Sequence, residues 1–243
     1  TEYERRYPPD KYGEELRPNA RLFKIYRDRV TEKDEDLVNG WNDTLNLMLV
    51  FAGLFSAVLT ALLVESSKQL RPDYSQVTAA AVLAILAHLQ GTNHTSLISL
   101  TSPFQPDNDA RWINRLWFTS LMLALIVSLL AILVKQWLVQ YMSLMRSSAG
   151  DAQHWALRHF ALRRGLSKWS VEPFISWLAV LLHISLFLFF IGLVRFIQPL
   201  DGTTTAVIIV MSAVTAGFYL ASTIAPLVWT ECPYRTSLML QLH

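Results

Sequence analysis

TLNLMLVFAGLFSAVLTALLV, residues 44–64, contains no Asp, Glu, Lys or Arg. A helix rises about 1.5 Å per residue, so roughly 20 such residues cross the ~30 Å hydrocarbon core of a bilayer. A soluble helix of that length needs a charged face, and this one has none. Working outward, three more stretches read the same way: Leu116–Val134, Phe174–Val194 with its helix running on to about Ile197, and Thr204–Trp229. Each of the four is about 19 to 26 residues long and free of acidic and basic side chains. The fold class that follows is all-α: an integral membrane bundle of four transmembrane helices with amphipathic interfacial helices. Residues 1–43 form an N-terminal arm and helix, 44–229 the four-pass domain and 230–243 a tail.

Composition agrees. The chain is 52% hydrophobic and 16% charged, against about 25% charged in an average soluble domain. A net charge of +2 and the lack of a dense Lys/Arg run give no electrostatic footprint for nucleic acid. The single cysteine, Cys232, excludes an intramolecular disulfide, so helix packing must hold the fold. The same thiol is open to palmitoylation or stays unmodified. The first 40 residues are polar, which leaves the first span as the insertion signal. The start at Thr1 and abrupt end at His243 suggest a segment of a longer protein with a downstream domain.

Orientation follows from the basic residues. Residues 1–43 hold nine Lys and Arg, the first loop and its edge four, the second loop six, the third none and the tail one. The positive-inside rule then places both termini and the second loop in the cytoplasm. The sequon at Asn93 falls on the outer side as a glycosylation candidate, while that at Asn42 lies at the cytoplasmic edge and should be silent.

Residues 1–18 read as an extended arm. A helical pattern begins near Asn19, with Thr31 or Asp34 able to cap a new turn that continues through Trp41 into the first span. An apolar helix from about Gln76 to Gln90 is too short to cross and should lie on the bilayer or on the bundle. No Pro or Gly interrupts Arg111 to Arg146, so the second helix extends past the bilayer, with Trp112, Trp117, Trp137 and Tyr141 at aromatic-belt positions. Asp151–Arg164 is amphipathic. Trp155, His159, Leu162 and Leu166 share one side, and Arg158, Arg163, Arg164 and Lys168 would meet an anionic lipid surface; the alternative is a helix packed on its own bundle. Ser170, Glu172 and Pro173 mark a helix start, and Pro226 a kink.

Gly53, Ala57 and Ala61 on the first span and Ala213, Gly217 and Ala221 on the fourth repeat small side chains at four-residue spacing, which lets helix backbones approach within or between chains. His183 is the one ionisable side chain inside a span and so a functional candidate by default; its plain reading is a neutral imidazole bonded to a neighbouring hydroxyl such as Ser56, Thr60 or Ser128. Arg195 can snorkel, pair with Glu65 or line a pore mouth. His154 and His159 are five apart and point in different directions on a helix, a poor metal pair. There is no HExxH, GxSxG, CxxC or phosphate-cradling loop, so neither an enzyme nor a cofactor is expected.

Several segments in order carry a resemblance: VFAGLFSAVLT at 50–60, the Trp117–Trp137 helix ending Lys135-Gln136-Trp137, LLHISLFLFFIG at 181–192, and ECPYRT at 231–236. Together they resemble a large fungal, mainly mushroom-type, transmembrane domain family of unknown function, over about residues 35–238. The resemblance implies a multi-pass module near the N-terminus of longer proteins and brings no catalytic residues. The expected function is a non-enzymatic membrane protein that self-associates among membrane lipids as a homo-oligomer, around a channel or pore in one version. The alternatives are an anchor or scaffold for a downstream cytoplasmic region and, with less support, a transporter or lipid-handling protein. The spans lack the polar rings of a selective filter and show no inverted repeat.

Overall fold

The computed structural model describes residues 2–72, 74–89, 105–147, 150–199 and 201–228. Every element among them is helical: α1 (Glu2–Arg6), α2 (Arg21–Lys68), α3 (Tyr74–Leu89), α4 (Asn108–Arg146), α5 (Ala152–Lys168), α6 (Val171–Ile197) and α7 (Gly202–Val228). The sequon at Asn93, Cys232 and the ECPYRT segment lie outside the described residues. The first arm is not fully extended. Its start forms α1, and Tyr7 is buried, donating to Asp28 at 2.8 Å.

Local chemistry sets where the helices end. Asp10 accepts the Arg21 N–H through both carboxylate oxygens, at 3.0 and 3.1 Å, closing the start of α2. Neither Thr31 nor Asp34 caps a new turn, because α2 continues unbroken for 48 residues. Thr31 Oγ1 instead donates back to the Arg27 carbonyl at 2.8 Å, as mid-helix threonines do. Ser170, at φ +48°, ends α5 and starts α6 at once. Its N–H reaches the Ser167 carbonyl, and its own carbonyl accepts from Phe174 at 3.0 Å. Pro173 follows in the first turn of α6, where its missing N–H leaves no bond unmade. Asp201 caps α7 by accepting the Thr204 N–H at 2.8 Å. Hydrogen bonds from the Thr204 hydroxyl, then from the Thr204 and Thr203 backbone, hold its carboxyl below the usual range.

The core is drawn as stripes. In α4 a buried stripe runs Ala110, Ile113, Trp117, Ser120, Ala124, Val127, Ala131, Val134, Leu138, Tyr141 and Met145 in alternating steps of three and four, with Asn114 buried beside it. In α6 the stripe is Val171, Ile175, Leu178, Leu182, Ser185, Phe189 and Gly192, in the same rhythm, with Ser176 buried beside it. The α2 stripe runs Leu45, Met48, Ala52, Phe55, Leu59, Leu63, Ser66. α7 has no such stripe; Thr205 is its one buried residue among those described.

Four helices are long and apolar enough to cross a membrane. Their most apolar windows are 28%, 33%, 28% and 0% buried within the protein, so most of this apolar surface faces outward. The described residues group into two units, drawn from Thr1–Gly53, Ile126–Leu182 and Thr223–His243, and from Leu54–Leu125 and His183–Ser222.

Candidate functional site

In the first unit, the polar centre is Asp34. It sits on α2, is 1% exposed, and accepts from three side chains. Tyr141 of α4 donates its hydroxyl at 2.7 Å, His159 of α5 its Nε2–H at 2.9 Å, and Arg163 of α5 its guanidinium. A carboxylate only accepts, so Nε2 carries the proton toward Asp34, while Nδ1 shares a hydrogen bond with the Tyr26 hydroxyl at 3.1 Å. Trp155 lies flat on the imidazole, with centroids 5.4 Å apart and planes 5° apart, and its indole N–H reaches the Met145 carbonyl at 3.0 Å. Arg163 keeps about half its side chain in the open while its charge meets the carboxylate. A buried carboxylate is tolerated only when its oxygens are occupied this fully. Burial, followed by the hydrogen bond and negative charge of Asp34, pushes the Tyr141 phenol well above its ordinary range.

More contacts tie α5 to the same unit. Gln153 N–H reaches the Pro18 carbonyl at 2.9 Å, and Asn19 meets both the Ala152 N–H and Asp151. Arg146 pairs with Glu35 at 3.2 Å. The amphipathic helix is therefore packed on its own bundle along its Trp155–His159 side. Of the cations expected on a lipid surface, Arg163 is on Asp34 and Arg158 donates to the Ser147 carbonyl, while Arg164 and Lys168 are exposed.

The second unit holds a different set. Ser120 and Ser185, both 0% exposed, clasp α4 to α6: each hydroxyl donates to the other's carbonyl, at 2.8 and 2.7 Å. Asn114 joins α4 to α2 through Ser66 Oγ at 2.7 Å. Trp117 is fully buried, donates to the Phe189 carbonyl at 3.2 Å, and presses on Gly192, where a Cβ would stand 2.6 Å from the indole Cδ1. Gly192 is thus the point at which α6 can approach the indole only without a side chain.

Several candidates stand elsewhere than expected. His183 Nδ1 shares a hydrogen bond with the Tyr219 hydroxyl of α7 at 3.3 Å, with ring centroids 4.9 Å apart; the Thr60 hydroxyl goes to the Ser56 carbonyl of its own helix instead. Arg195 pairs with Asp109 at 3.5 Å rather than with Glu65, which holds Lys68 at 2.6 Å. With Gln69, Asp107 and Gln198, Arg195 lines an open cavity of about 680 Å3. Gly53, Ala57, Ala61, Ala213, Gly217 and Ala221 are all exposed, so neither small-residue ridge packs in a core among the described residues. Trp112 and Trp137 face outward as belt residues should, but Trp117 and Tyr141 are core. No group of three or more His, Cys, Asp or Glu able to hold a metal is found among the described residues.

A family model, described as a family of unknown function (DUF6535), matches residues 24–199. The chain belongs to DUF6535. The matched stretch contains the Asp34 centre, the Ser120–Ser185 clasp and the Trp117–Gly192 contact. It ends just before α7, the helix with 0% of its apolar window buried. No curated protein and no solved structure matches this DUF6535 chain.

Sequence reasoning read Asp34 only as a cap candidate and missed the buried centre built on it. It also missed Gly192. The signal for Gly192 was present as the last small member of the α6 three-four rhythm, after Ser185.

Proposed function

We propose that the chain is a non-enzymatic four-pass membrane module, with both termini cytoplasmic, that self-associates through its outward small-residue faces. The observation that carries the reading is the direction of those faces. Gly53, Ala57 and Ala61 on α2 and Ala213, Gly217 and Ala221 on α7 all point away from the protein's own core, and nothing lies within 4 Å of a Cβ built at Gly53 or Gly217. Lipid offers no hydrophobic drive between helices, so close backbone approach at such residues is what brings them together. α7, with its apolar window 0% buried, adds more outward apolar surface on the side away from Tyr219, which meets His183. Subunit counting by photobleaching in liposomes at low protein-to-lipid ratio tests this. The reading expects oligomers that Gly53→Leu or Gly217→Leu disperses without lowering the melting point; monomers throughout would refute it.

Whether the assembly encloses a channel or serves as an anchor or scaffold for further chain is decided by conductance. One observation favours the anchor: Ser120 and Ser185 spend their hydrogen bonds on each other, inside the protein, rather than on a lumen. The likeness of its sequence to fungal multi-pass domains is consistent with either form. Ion flux through reconstituted bilayers would support the channel, and its absence alongside full membrane targeting would support the anchor.

A further inference from the structure

In the first unit, α4 turns one face outward over two turns: Ile132, Lys135, Gln136, Val139 and Gln140, at steps of three, one, three and one. With Leu49 of α2 they line an open groove of about 430 Å3. One end is apolar, formed by Leu49 and Ile132. Toward the other end, Lys135, Gln136 and Gln140 supply an ammonium and two carboxamides. Lys135 is only partly exposed, and its ammonium meets Asn46 Oδ1, a neutral amide oxygen. Among the described residues no carboxylate lies within 4.0 Å of it, and Asp43, one turn along α2 from Asn46, is exposed without pairing to it. An ammonium held against a carbonyl oxygen keeps its full charge for an outside anion, and the carboxamides beside it can donate to the same oxygens.

The depth of this groove matches its chemistry. Lys135 immediately follows the uncharged run Leu116–Val134, and exposed Trp137 flanks it, its ring tilted against Phe174 with centroids 6.3 Å apart. Lysine and tryptophan together mark a headgroup level, with hydrocarbon beyond. We propose that this groove is a binding site for an anionic phospholipid of the inner leaflet. Its phosphate would accept from Lys135, Gln136 and Gln140, and one acyl chain would lie along Leu49 and Ile132. The assignment rests on the membrane reading and orientation above.

The test is lipid retention by the full chain in detergent, titrated with phosphatidylglycerol and with phosphatidylcholine of the same acyl chains, and read by native mass spectrometry. The site predicts that phosphatidylglycerol is retained in preference. Lys135→Gln should weaken that retention about fivefold, the value of one lysine at an anionic surface, and leave phosphatidylcholine unchanged. Lys135→Arg should keep the preference, which guards against a variant that merely misfolds. Ile132→Trp, which fills the apolar end, should reduce retention of both lipids. Arg164→Gln with Lys168→Gln, exposed cations on α5, should change neither. Equal retention of the two lipids, indifference to Lys135→Gln, or an equal loss from the α5 pair would overturn the site. So would an Ile132→Trp chain that loses self-association yet keeps its lipid, because a second copy would then occupy the groove. Release of the wild-type chain from bilayers by alkaline carbonate would contradict the membrane reading itself; a chain that stays in the bilayer but ignores headgroup charge contradicts only the groove.

Discussion

Replacing Asp34 with alanine should loosen α5 more than any other single truncation in the first unit. The carboxylate is 1% exposed and receives Tyr141, His159 and Arg163 at once. His159 is 4% and Tyr141 6% exposed, so neither finds water when the acceptor goes. Removing one partner of a buried, hydrogen-bonded charge cluster costs about 3–5 kcal/mol. Arg163, about half exposed, recovers solvation and pulls the figure toward the lower end, about 3 kcal/mol. The helix that depends on these bonds is α5, which contributes two of the three donors. Amide exchange in α5 of the reconstituted protein should therefore quicken by roughly 150-fold, since each 1.4 kcal/mol is about tenfold. The buried turns of α4 around Ala124 and Val127 should hold their protection. Asp34→Ala with His159→Ala should cost much less than the sum of the singles, because both remove the same bond. Exchange in α5 changed by less than about threefold would show that Asp34 is not what fastens this helix.

Other outcomes follow from the same geometry. Gly192→Ala puts a methyl against the Trp117 indole and should cost about 1–3 kcal/mol, seen as a lower melting temperature. Gly53→Ala, with open space around it, should be neutral or stabilise by about 0.5–1 kcal/mol. Because the Tyr141 phenol is held above its ordinary range, the unfolded chain releases that proton first. Its stabilising contribution is then complete below about pH 10 and is lost as pH rises further. Melting curves between pH 9 and 12 should fall more steeply for the wild type than for Tyr141→Phe; parallel curves would contradict this. A double-mutant cycle on Ser120→Ala and Ser185→Ala should return a coupling of about 0.6 kcal/mol, typical of interhelical hydrogen bonds in bilayers. A coupling indistinguishable from zero would mean the clasp is spatial only.

The number, length and rough ends of the four long apolar helices were legible because lipid-length apolar runs and their flanking charges speak at the level of composition, whereas α1 was not. Which face of each run is core was not. Inside Leu116–Val134 every position is apolar or small, so periodicity has no polar contrast to display it; only the rhythm of Ser120, Ala124 and Ala131 hints at the seam. The same lack of contrast hid the outward direction of Gly53, Ala57 and Ala61, because small side chains serve a neighbour in the same chain and one in another equally well. Asp34 was hidden by distance: its partners lie 107, 125 and 129 residues away, and its local surroundings offer three other acids. Shared depth at the ends of two spans makes Glu65 one of the partners open to Arg195, yet Lys68, one turn from Glu65 on its own helix, takes that carboxylate.

Single-cysteine labelling in sealed vesicles tests the central claim most directly. In a Cys232→Ser background, Glu32→Cys and Ser167→Cys should react with an impermeant maleimide from one face, and Gln69→Cys and Thr203→Cys only from the other. Reaction of all four from the same face would contradict a chain whose uncharged helices cross lipid four times.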